Sequence, residues 1–587
     1  MNGMNVLLCL FIAITSAFAM SVDPGPAFES AAAARAGKDQ RRREVFRKLL
    51  EIPQAPAPTP PKLGMQEFFS TALPRLYLGV DVESVNRAIL DPAFVPWNVG
   101  TEIAILGKVC SRMGDYDFIL MGLLHMAYLD REKVVLSPEA RHKLRHELLS
   151  QTGNNHYSGF FLRNCLPVKK KDTENHILMT ETARYLTNQL LFEETHDPKY
   201  DNEKNGFEDW FLKHLSQFLR QDFDELNSRP YQGYTIIQMA TLMSFAEGPR
   251  VKLLSQMILD YLAAKNAVQS IGLRRRSPFR RRKEYREPKY LTSADPGMYW
   301  YAFHTGAHDF IDLLPKPIPN GSFESYHYVL SALEKYSIPE EIHELFYRPS
   351  PIFQRLNFRD PEIYFRSENF LLTAGGRHRS VFGFFTGEND VWGVPTNIIS
   401  RSEGVSPEDL FELRGPENWN KKNNLCVAPN FACGTNFRAP VGSSPLTVGP
   451  WSFYETKDFQ LAVYQDKDRA LWEVREKGDF KSFQTEVLRR NPNGFTPSGP
   501  NTYQTIDGHQ VTFDWNRKKP GKSPILSYDD KLIPENTKDW PTAEGDLLES
   551  SGDGLIRIKL GAGKILELDH RDIAHPARRI LPLREGE

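Results

Sequence analysis

The chain has 587 residues, beyond the length at which one hydrophobic core stops growing, so two or more structural units are expected. Apolar residues make up 40% of the sequence and charged residues 25%, a balance that excludes a globally disordered chain. Lysine and arginine total 73 against 74 for aspartate and glutamate, so no overall charge indicates nucleic acid or a membrane surface as partner.

The first 64 residues are predicted to be a leader and an arm. Residues 1–19 carry no charged side chain, and their apolar run closes with Ser-Ala-Phe-Ala at Ala19, a pattern suited to signal peptidase. The run is shorter than the roughly 20 residues of a spanning helix. We therefore expect a cleaved leader, a secreted or periplasmic protein and no membrane span. Residues 20–64, with five prolines between positions 52 and 61, are expected to form an extended arm or linker.

Helical periodicity dominates residues 65–345, the first predicted domain. Apolar residues recur at three- and four-residue spacing in the segments 101–113, 115–129, 138–150, 174–192, 206–219, 234–245 and 250–268. Ser137 is suited to cap the helix that begins with Pro138. Successive helices with short connections are typical of stacked helical hairpins.

The apolar period changes to two beyond about residue 360. Apolar and basic residues alternate from Ile556 to Leu560, and Asp507-Gly508 is a strong two-residue hairpin turn. Further strands are predicted over 363–373, 380–385, 459–464, 470–474 and 564–568. Many short strands indicate a sandwich or a barrel. We predict a multidomain α+β chain whose antiparallel β-sandwich, 362–587, follows a linker, 346–361, where cleavage separates the two units.

The cysteines indicate disulfides rather than a metal site. Cys9 leaves with the leader, and the remaining four allow three pairings. Their separation along the chain favours Cys110 with Cys165 and Cys426 with Cys433, and an exported protein permits such bonds. The second pair has no histidine nearby at metal-ligand spacing.

Two Asn-His dipeptides are the first candidates for chemistry. Asn155-His156 lies on a loop, and Asn175-His176 lies in the first turn of the predicted helix 174–192. Asparagine donates two hydrogen bonds without titrating, and histidine moves protons near neutral pH. The helix dipole disfavours imidazolium at this end, so we expect His176 to be neutral. The alternative is a core histidine, because His176 shares a helical face with Met179.

A second polar segment, 225–234, supplies Arg229, Tyr231 and Tyr234 at the start of a later helix. β-Elimination of a uronate glycan needs a group that stabilises the carboxylate, a base for the alpha proton and an acid for the departing oxygen. Amide, imidazole and phenol side chains meet these three needs, and Arg229 suits the substrate carboxylate.

The residues that carry a family resemblance are Glu174-Asn175-His176-Ile177-Leu178-Met179, Tyr185-Leu186, Asn227-Ser228 and Tyr231. They resemble the helical toroid region of the heparinase II/III-like and alginate-lyase-like polysaccharide lyases. The resemblance implies an (α/α) toroid followed by a β-sandwich, and a lyase acting on an acidic polysaccharide. It also implies that Asn175 neutralises the carboxylate, His176 is the base and Tyr231 is the acid, with Tyr234 in reserve.

Other local signals concern substrate binding and metals. Residues 274–286 contain eight Lys or Arg, which suits either sulfated and carboxylated sugars or a solvated loop. Trp300 and His304 either line a substrate or belong to the core, and Asn155 with His156 are further candidate substrate contacts. His304 and His308 lack the Glu of a His-Glu-x-x-His pattern, so we assign no metal there. Related lyases can carry a structural divalent metal in the sandwich, but its ligands are not identifiable in this sequence.

Three functions follow as hypotheses. The first is a secreted lyase on an acidic glycan, and the second is a non-catalytic glycan-binding or envelope protein on the same scaffold. The third is a toroid glycoside hydrolase, which needs two suitably separated carboxylates. No cofactor and no nucleic-acid partner are expected.

Overall fold

The computed structural model describes most of the chain, with gaps. The described residues are 30–51, 67–101, 103–105, 110–112, 114–149, 152, 160–162, 166–224, 229–271, 274–275, 296–306, 323–346, 351–358, 361–375, 394–402, 410–414, 424–517, 519 and 521–583. Helices occupy the amino-terminal half and a large antiparallel sheet occupies the carboxyl-terminal part. The predicted α+β class is therefore confirmed at this level.

The helices begin and end close to the positions that periodicity predicted. In the amino-terminal half they are α1 (Ala31–Ala36), α2 (Lys38–Glu51), α3 (Glu67–Leu78), α4 (Val82–Leu90), α5 (Tyr116–Lys133), α6 (Pro138–Lys143), α7 (Glu174–Thr195), α8 (Phe207–Gln221), α9 (Arg229–Phe245), α10 (Pro249–Gln269), α11 (Pro296–Thr305), α12 (Phe323–Leu333) and α13 (Glu340–Leu345). The Ser137 hydroxyl accepts the Ala140 N–H at 3.2 Å and so caps α6, while a turn of π-helix, Leu144–Leu148, continues it.

Two segments differ from the prediction. Residues 31–51, expected to belong to an extended arm, form α1 and α2, because Val45, Phe46 and Leu49 pack into the main hydrophobic core. Residues 101–113, expected to be helical, contain the paired strands β1 (Ile103–Ile105) and β2 (Cys110–Arg112). A short apolar run fits either structure by periodicity, and pairing decides between them. The proline-rich residues 52–61 lie outside the described residues.

Helices α7 and α10 are buried along most of their length. Helix α7 is buried continuously from Asn175 to Leu191, and α10 is buried from Leu254 onwards apart from one position. Along the chain α3 packs on α5, α5 on α7, α7 on α9, α9 on α11 and α11 on α12, and α12 packs back on α3. Helix α10 lies against both α8 and α9. The apolar side chains of all these helices join one cluster, which we call the helical core.

A twelve-stranded antiparallel sheet is the largest strand structure among the described residues. Two short strand pairs precede it in the chain, β3 (Phe160–Leu162) with β4 (Leu166–Lys170) and β5 (Ser270–Ile271) with β6 (Arg274–Arg275). Its strands are β7 (Ile352–Leu356), β8 (Glu362–Arg366), β9 (Phe370–Gly375), β10 (Val394–Ser400), β11 (Phe411–Arg414), β12 (Val427–Ala428), β13 (Phe431–Arg438), β14 (Leu446–Val448), β15 (Trp451–Glu455), β16 (Phe459–Asp466), β17 (Arg469–Glu476) and β22 (Ala543–Gly545). Strand β7 lies within 346–361, so the segment expected to be a linker contributes a strand that pairs with β8 and β22.

The large sheet curls on itself. In the order β14-β15-β16-β17-β13-β11-β10-β9-β8-β7-β22, strands β11 and β15 are four steps apart, which is roughly 19 Å in a flat sheet. The ring centroids of Phe411 and Tyr454 on these strands are nevertheless 5.1 Å apart. Strand β15, near one end of the order, therefore faces β11, in its middle, across an apolar cluster that includes Phe370, Phe459 and Trp472.

Two smaller sheets complete the carboxyl-terminal part. The strands β18 (Asn501–Gln504), β19 (Gln510–Phe513), β20 (Ile525–Tyr528) and β21 (Lys531–Leu532) form one sheet, and with helix α14 (Phe480–Arg490) they cover the disulfide between Cys426 and Cys433. Cys165 lies outside the described residues, so its pairing with Cys110 stays a prediction. A hairpin joins β18 to β19 at the predicted place, but its loop has three residues, 506–508, because the Thr505 N–H donates to the His509 carbonyl oxygen.

The last sheet packs against the helices. Its strands are β23 (Leu548–Glu549), β24 (Leu555–Lys559), β25 (Lys564–Asp569) and β26 (Ala577–Pro582). Ile556, Ile558 and Leu568 are buried within the helical core. Ser216 on α8 hydrogen-bonds His570 at 2.9 Å, and Arg578 on β26 donates to Asp260 on α10 at 2.6 Å.

Candidate functional site

His176 forms a dyad with Asp117, a residue that the sequence analysis did not single out. Both lie in the first turn of their helices, α7 and α5, which pack side by side. His176 Nδ1 is 2.6 Å from Asp117 Oδ2, and the other carboxylate oxygen accepts the Gly100 N–H at 2.9 Å. Asp117 is thereby fixed and orients the imidazole, with Nε2 4.0 Å from an Asp115 oxygen.

The charges around His176 reverse the expectation that it is neutral. Burial disfavours the imidazolium, but the carboxylates of Asp117, Asp172 and Asp115 outweigh burial and raise the pKa of His176 to about 8. A full charge at hydrogen-bond distance outweighs the half charge of a helix end. His176 is therefore largely protonated at pH 7.

Asn175 offers a donor that no described group accepts. Its side chain is 2% exposed, and Oδ1 accepts the Thr173 hydroxyl at 2.7 Å. Its Nδ2 is buried and makes no hydrogen bond within the described part of the chain. A buried amide N–H without an acceptor is costly, so this donor suits a ligand oxygen.

Phe118 connects His176 to Tyr234. The Phe118 ring centroid lies 5.2 Å from the His176 ring and 4.7 Å from the Tyr234 ring. Tyr234 is 2% exposed and also contacts the His327 ring, whereas Tyr231, one turn earlier on α9, is only half-buried. The structure thus brings His176 and Tyr234 into one neighbourhood, and Tyr231 is the more accessible phenol.

The first turns of α7 and α9 lie on the same rim of the helical half. The Glu174 carboxylate, at the first position of α7, accepts the Asp224 N–H at 2.8 Å, shortly before α9 begins at Arg229. Asp172, just before α7, accepts the N–H of Thr101 at 3.0 Å and its hydroxyl at 2.5 Å. Loops that enter three helices therefore converge beside the dyad.

The other candidate residues lie elsewhere or outside the described part. Asn155 and His156 are outside the described residues, and only the backbone of Arg229 is described. Trp300 is fully buried and His304 is 5% exposed, which is the core alternative that the sequence left open. Trp300 Nε1 donates to Glu334 at 3.0 Å. Burial together with nearby cations, Lys38 first among them, lowers the pKa of His304 well below its usual value.

Sequence reasoning missed Asp115 and Asp117 because acidic residues at a helix start usually serve as caps. Here neither side chain caps α5, since Asp117 binds Gly100 and His176 instead. Two carboxylates in the first turn of the predicted helix 115–129, together with a histidine at the start of the next long helix, were the available signal.

Three further findings concern metal ions, membranes and known protein families. The described residues contain no group of three or more His, Cys, Asp or Glu side chains placed to hold a metal ion. No described helix has the length and apolar character needed to cross a membrane. No model of a known protein family matches the chain, and no curated protein matches its sequence.

Proposed function

We propose that the protein is an exported polysaccharide lyase-like enzyme that cleaves an acidic, uronate-containing glycan by β-elimination beside the Asp117–His176 dyad. The observation that carries the proposal is the dyad itself, next to the unpaired Nδ2 donor of Asn175. A histidine oriented by a carboxylate is a common arrangement for moving a proton.

The proposed roles follow from these atoms. Asn175 Nδ2 donates to the uronate carboxylate and stabilises the charge that builds up after proton removal. His176, in its neutral form, takes the alpha proton at Nε2, because Nδ1 is bound to Asp117. The C–O bond at the beta carbon breaks as the double bond forms, and the half-buried Tyr231 protonates the departing oxygen.

The acidic surroundings set the pH range of this mechanism. A base whose pKa is about 8 is neutral in only a minor fraction of molecules at pH 7, so the rate should rise as pH passes through 8. The same carboxylates repel an incoming anion. The protonated form of His176 therefore favours substrate binding, whereas the neutral form removes the proton.

The finer architecture is part of the proposal. The cyclic packing order of α3, α5, α7, α9, α11 and α12 supports an (α/α) toroid. The curled large sheet with its facing second sheet supports a β-sandwich. The leader-like first 19 residues and the disulfide between Cys426 and Cys433 support export, since such bonds persist in oxidising compartments.

A non-catalytic glycan-binding protein is the second candidate, and burial favours it. His176 is 7% exposed and Tyr234 is 2% exposed, so a sugar reaches little of either side chain without a rearrangement. The hydrolase hypothesis has weaker support, because the glutamates that line the described cavities are paired with cations, as Glu544 is with Arg355 and Glu549 with Lys559.

One assay separates the three functions. Purified protein is incubated with alginate, heparan sulfate, hyaluronan and pectin, and both ultraviolet absorbance of unsaturated uronate and new reducing ends are followed. His176→Gln should lower kcat by about 10²–10⁴-fold, while the control His575→Gln, at an exposed surface pair, should not change it. Asp117→Asn should move the rising limb of the pH profile below 8, because it removes the charge that raises the pKa of His176.

The products of this assay distinguish the three functions. Binding without either product supports the glycan-binding protein, and reducing ends without ultraviolet absorbance support a hydrolase. A His176→Gln variant with full lyase activity would contradict the assigned base.

A further inference from the structure

A cavity lies in the strand half. Its volume is about 420 Å³, and its described lining comes entirely from residues between Phe353 and Lys559. Strands β7 and β22 form one wall, and β12, β20 and β21 form the other. The dyad at the start of α7 contributes no residue to it.

Strand β22 approaches β7 closely in this wall of the cavity. Gly545 has φ +157°, and a Cβ there would lie 2.4 Å from the Phe353 carbonyl oxygen. Only glycine therefore lets β22 pair with β7 at this point. The Asp546 carboxylate accepts the Phe353 N–H at 2.8 Å, so both edges of this wall are held in place.

Arg355 is the unusual group of the cavity. The residue is 9% exposed, its guanidinium lies 5.1 Å from the Trp540 ring centroid, and one terminal nitrogen donates to Glu544 at 2.6 Å. Its Nε is buried and has no hydrogen-bond acceptor among the described residues. Burial of the charge lowers the pKa of Arg355, although Glu544 opposes this. An unmet donor on a buried cation is expensive unless a ligand completes it.

Two cations lie beside one carboxylate at Arg355, because Glu544 accepts both Arg355 and the Lys531 ammonium, the latter at 2.8 Å. The lining as a whole contains three cations and three acids. Glu549 pairs with Lys559 at 2.5 Å, and the Asp546 carboxylate accepts the Phe353 N–H. Phe353, Tyr528 and Ile533 supply aromatic and apolar surface to the same cavity.

We propose that this cavity is a second saccharide-binding site that accepts one carboxylated sugar residue. The sugar carboxylate binds Arg355 and Lys531, and the C–H face of the ring lies on Phe353 and Tyr528. The choice of a sugar as the carboxylate carrier rests on the proposed function, whereas the carboxylate site itself rests on Arg355. Such a site would bind one end of a glycan on the strand half while another part of the same glycan binds the helical half.

Calorimetric titration with glucuronate tests the site, with glucose as the uncharged probe of equal ring size. Glucuronate has no glycosidic bond, so a lyase cannot consume it. Wild type should bind glucuronate at least about tenfold more tightly than glucose, and Arg355→Gln should remove that difference. The matched control Arg489→Gln changes an exposed arginine on α14 and should bind as wild type.

One further variant keeps the test decisive. Arg355→Gln removes one of the two cations that pair with the partly exposed Glu544, which can change the local fold. Ile533→Trp fills the cavity without removing any polar group and should also abolish glucuronate binding. Equal binding of glucuronate and glucose, or wild-type binding by Ile533→Trp, overturns the site.

The two proposals fail separately. Glucuronate binding without any lyase product removes only the catalytic proposal. Lyase activity without glucuronate binding removes only the second site.

Discussion

The helical half and the strand half differ in how they complete their cores. The helical core includes Leu547, Ile556 and Leu568, which come from the end of the chain. The two larger apolar clusters around the large sheet have their buried members between Ile363 and Trp540, and a third, smaller cluster adds Ile271 from the helical half. The strand half therefore builds its two larger cores from its own residues, whereas the helical half depends on strands that follow the large sheet in sequence. The structural units are not the two halves of the sequence.

Removal of the last strands should give the largest effect. A chain that ends at residue 550 lacks β24 to β26 and five buried side chains, namely Ile556, Ile558, Leu560, Leu566 and Leu568. At about 2 kcal/mol each, their loss costs roughly 10 kcal/mol, comparable to the whole stability of a domain. We expect far-ultraviolet circular dichroism to show loss of cooperative helix melting.

The control for this deletion is a chain that ends at residue 583, which keeps every described strand. Cleavage between residues 346 and 361 is for the same reason expected to leave the helical fragment unfolded, unlike the separation that the sequence suggested. A helical fragment 30–346 that melts cooperatively by itself would contradict the comparison.

A single ion pair tests the contact between β26 and the helical half. Arg578 on β26 pairs with the fully buried Asp260, whose other oxygen accepts the Tyr336 hydroxyl at 2.7 Å. Arg578→Ala leaves a buried carboxylate without its cation and should lower the free energy of unfolding by about 3–5 kcal/mol in urea titration. Arg571→Ala, at an exposed pair with Asp569, should change it by less than about 1 kcal/mol. Equal effects of the two variants would show that this ion pair does not stabilise the contact between β26 and the helical half.

A pH effect in the strand half should come from Glu473. Burial raises the pKa of Glu473 on β17 to about 7, although Tyr503 and the Ile506 N–H donate to its carboxylate. Because the folded pKa lies above the ordinary value of 4.5, this group stabilises the fold below pH 4.5, and that contribution is lost as pH rises through 7.

Glu473→Gln should therefore reduce the change in unfolding free energy between pH 5 and pH 8 by up to about 3 kcal/mol. The control Glu486→Gln concerns an exposed acid whose pKa is lowered to about 2, so it should not alter that interval. An unchanged pH dependence in Glu473→Gln would show that this carboxyl is already ionised in the fold at pH 5.

Local patterns predicted most elements because each pattern lies within the element itself. The segments 174–192, 206–219 and 250–268 correspond to α7, α8 and α10 within a few residues. The errors fall where a partner decides the outcome, as in β1 with β2 and in α2 against the helical core. An amphipathic face shows that a segment is covered but does not identify the segment that covers it.

The sequence by itself determined the order of helices before strands, the place of the hairpin at Asp507-Gly508 and the position of Asn175-His176 at a helix start. Only the tertiary structure decided that Asp117, 59 residues away, pairs with His176, and that Arg578, 318 residues away, pairs with Asp260. Such pairings depend on burial and on charges brought together by packing. Because the protonation of His176 follows from those charges, the chemistry of the site was fixed by distant contacts and not by the motif.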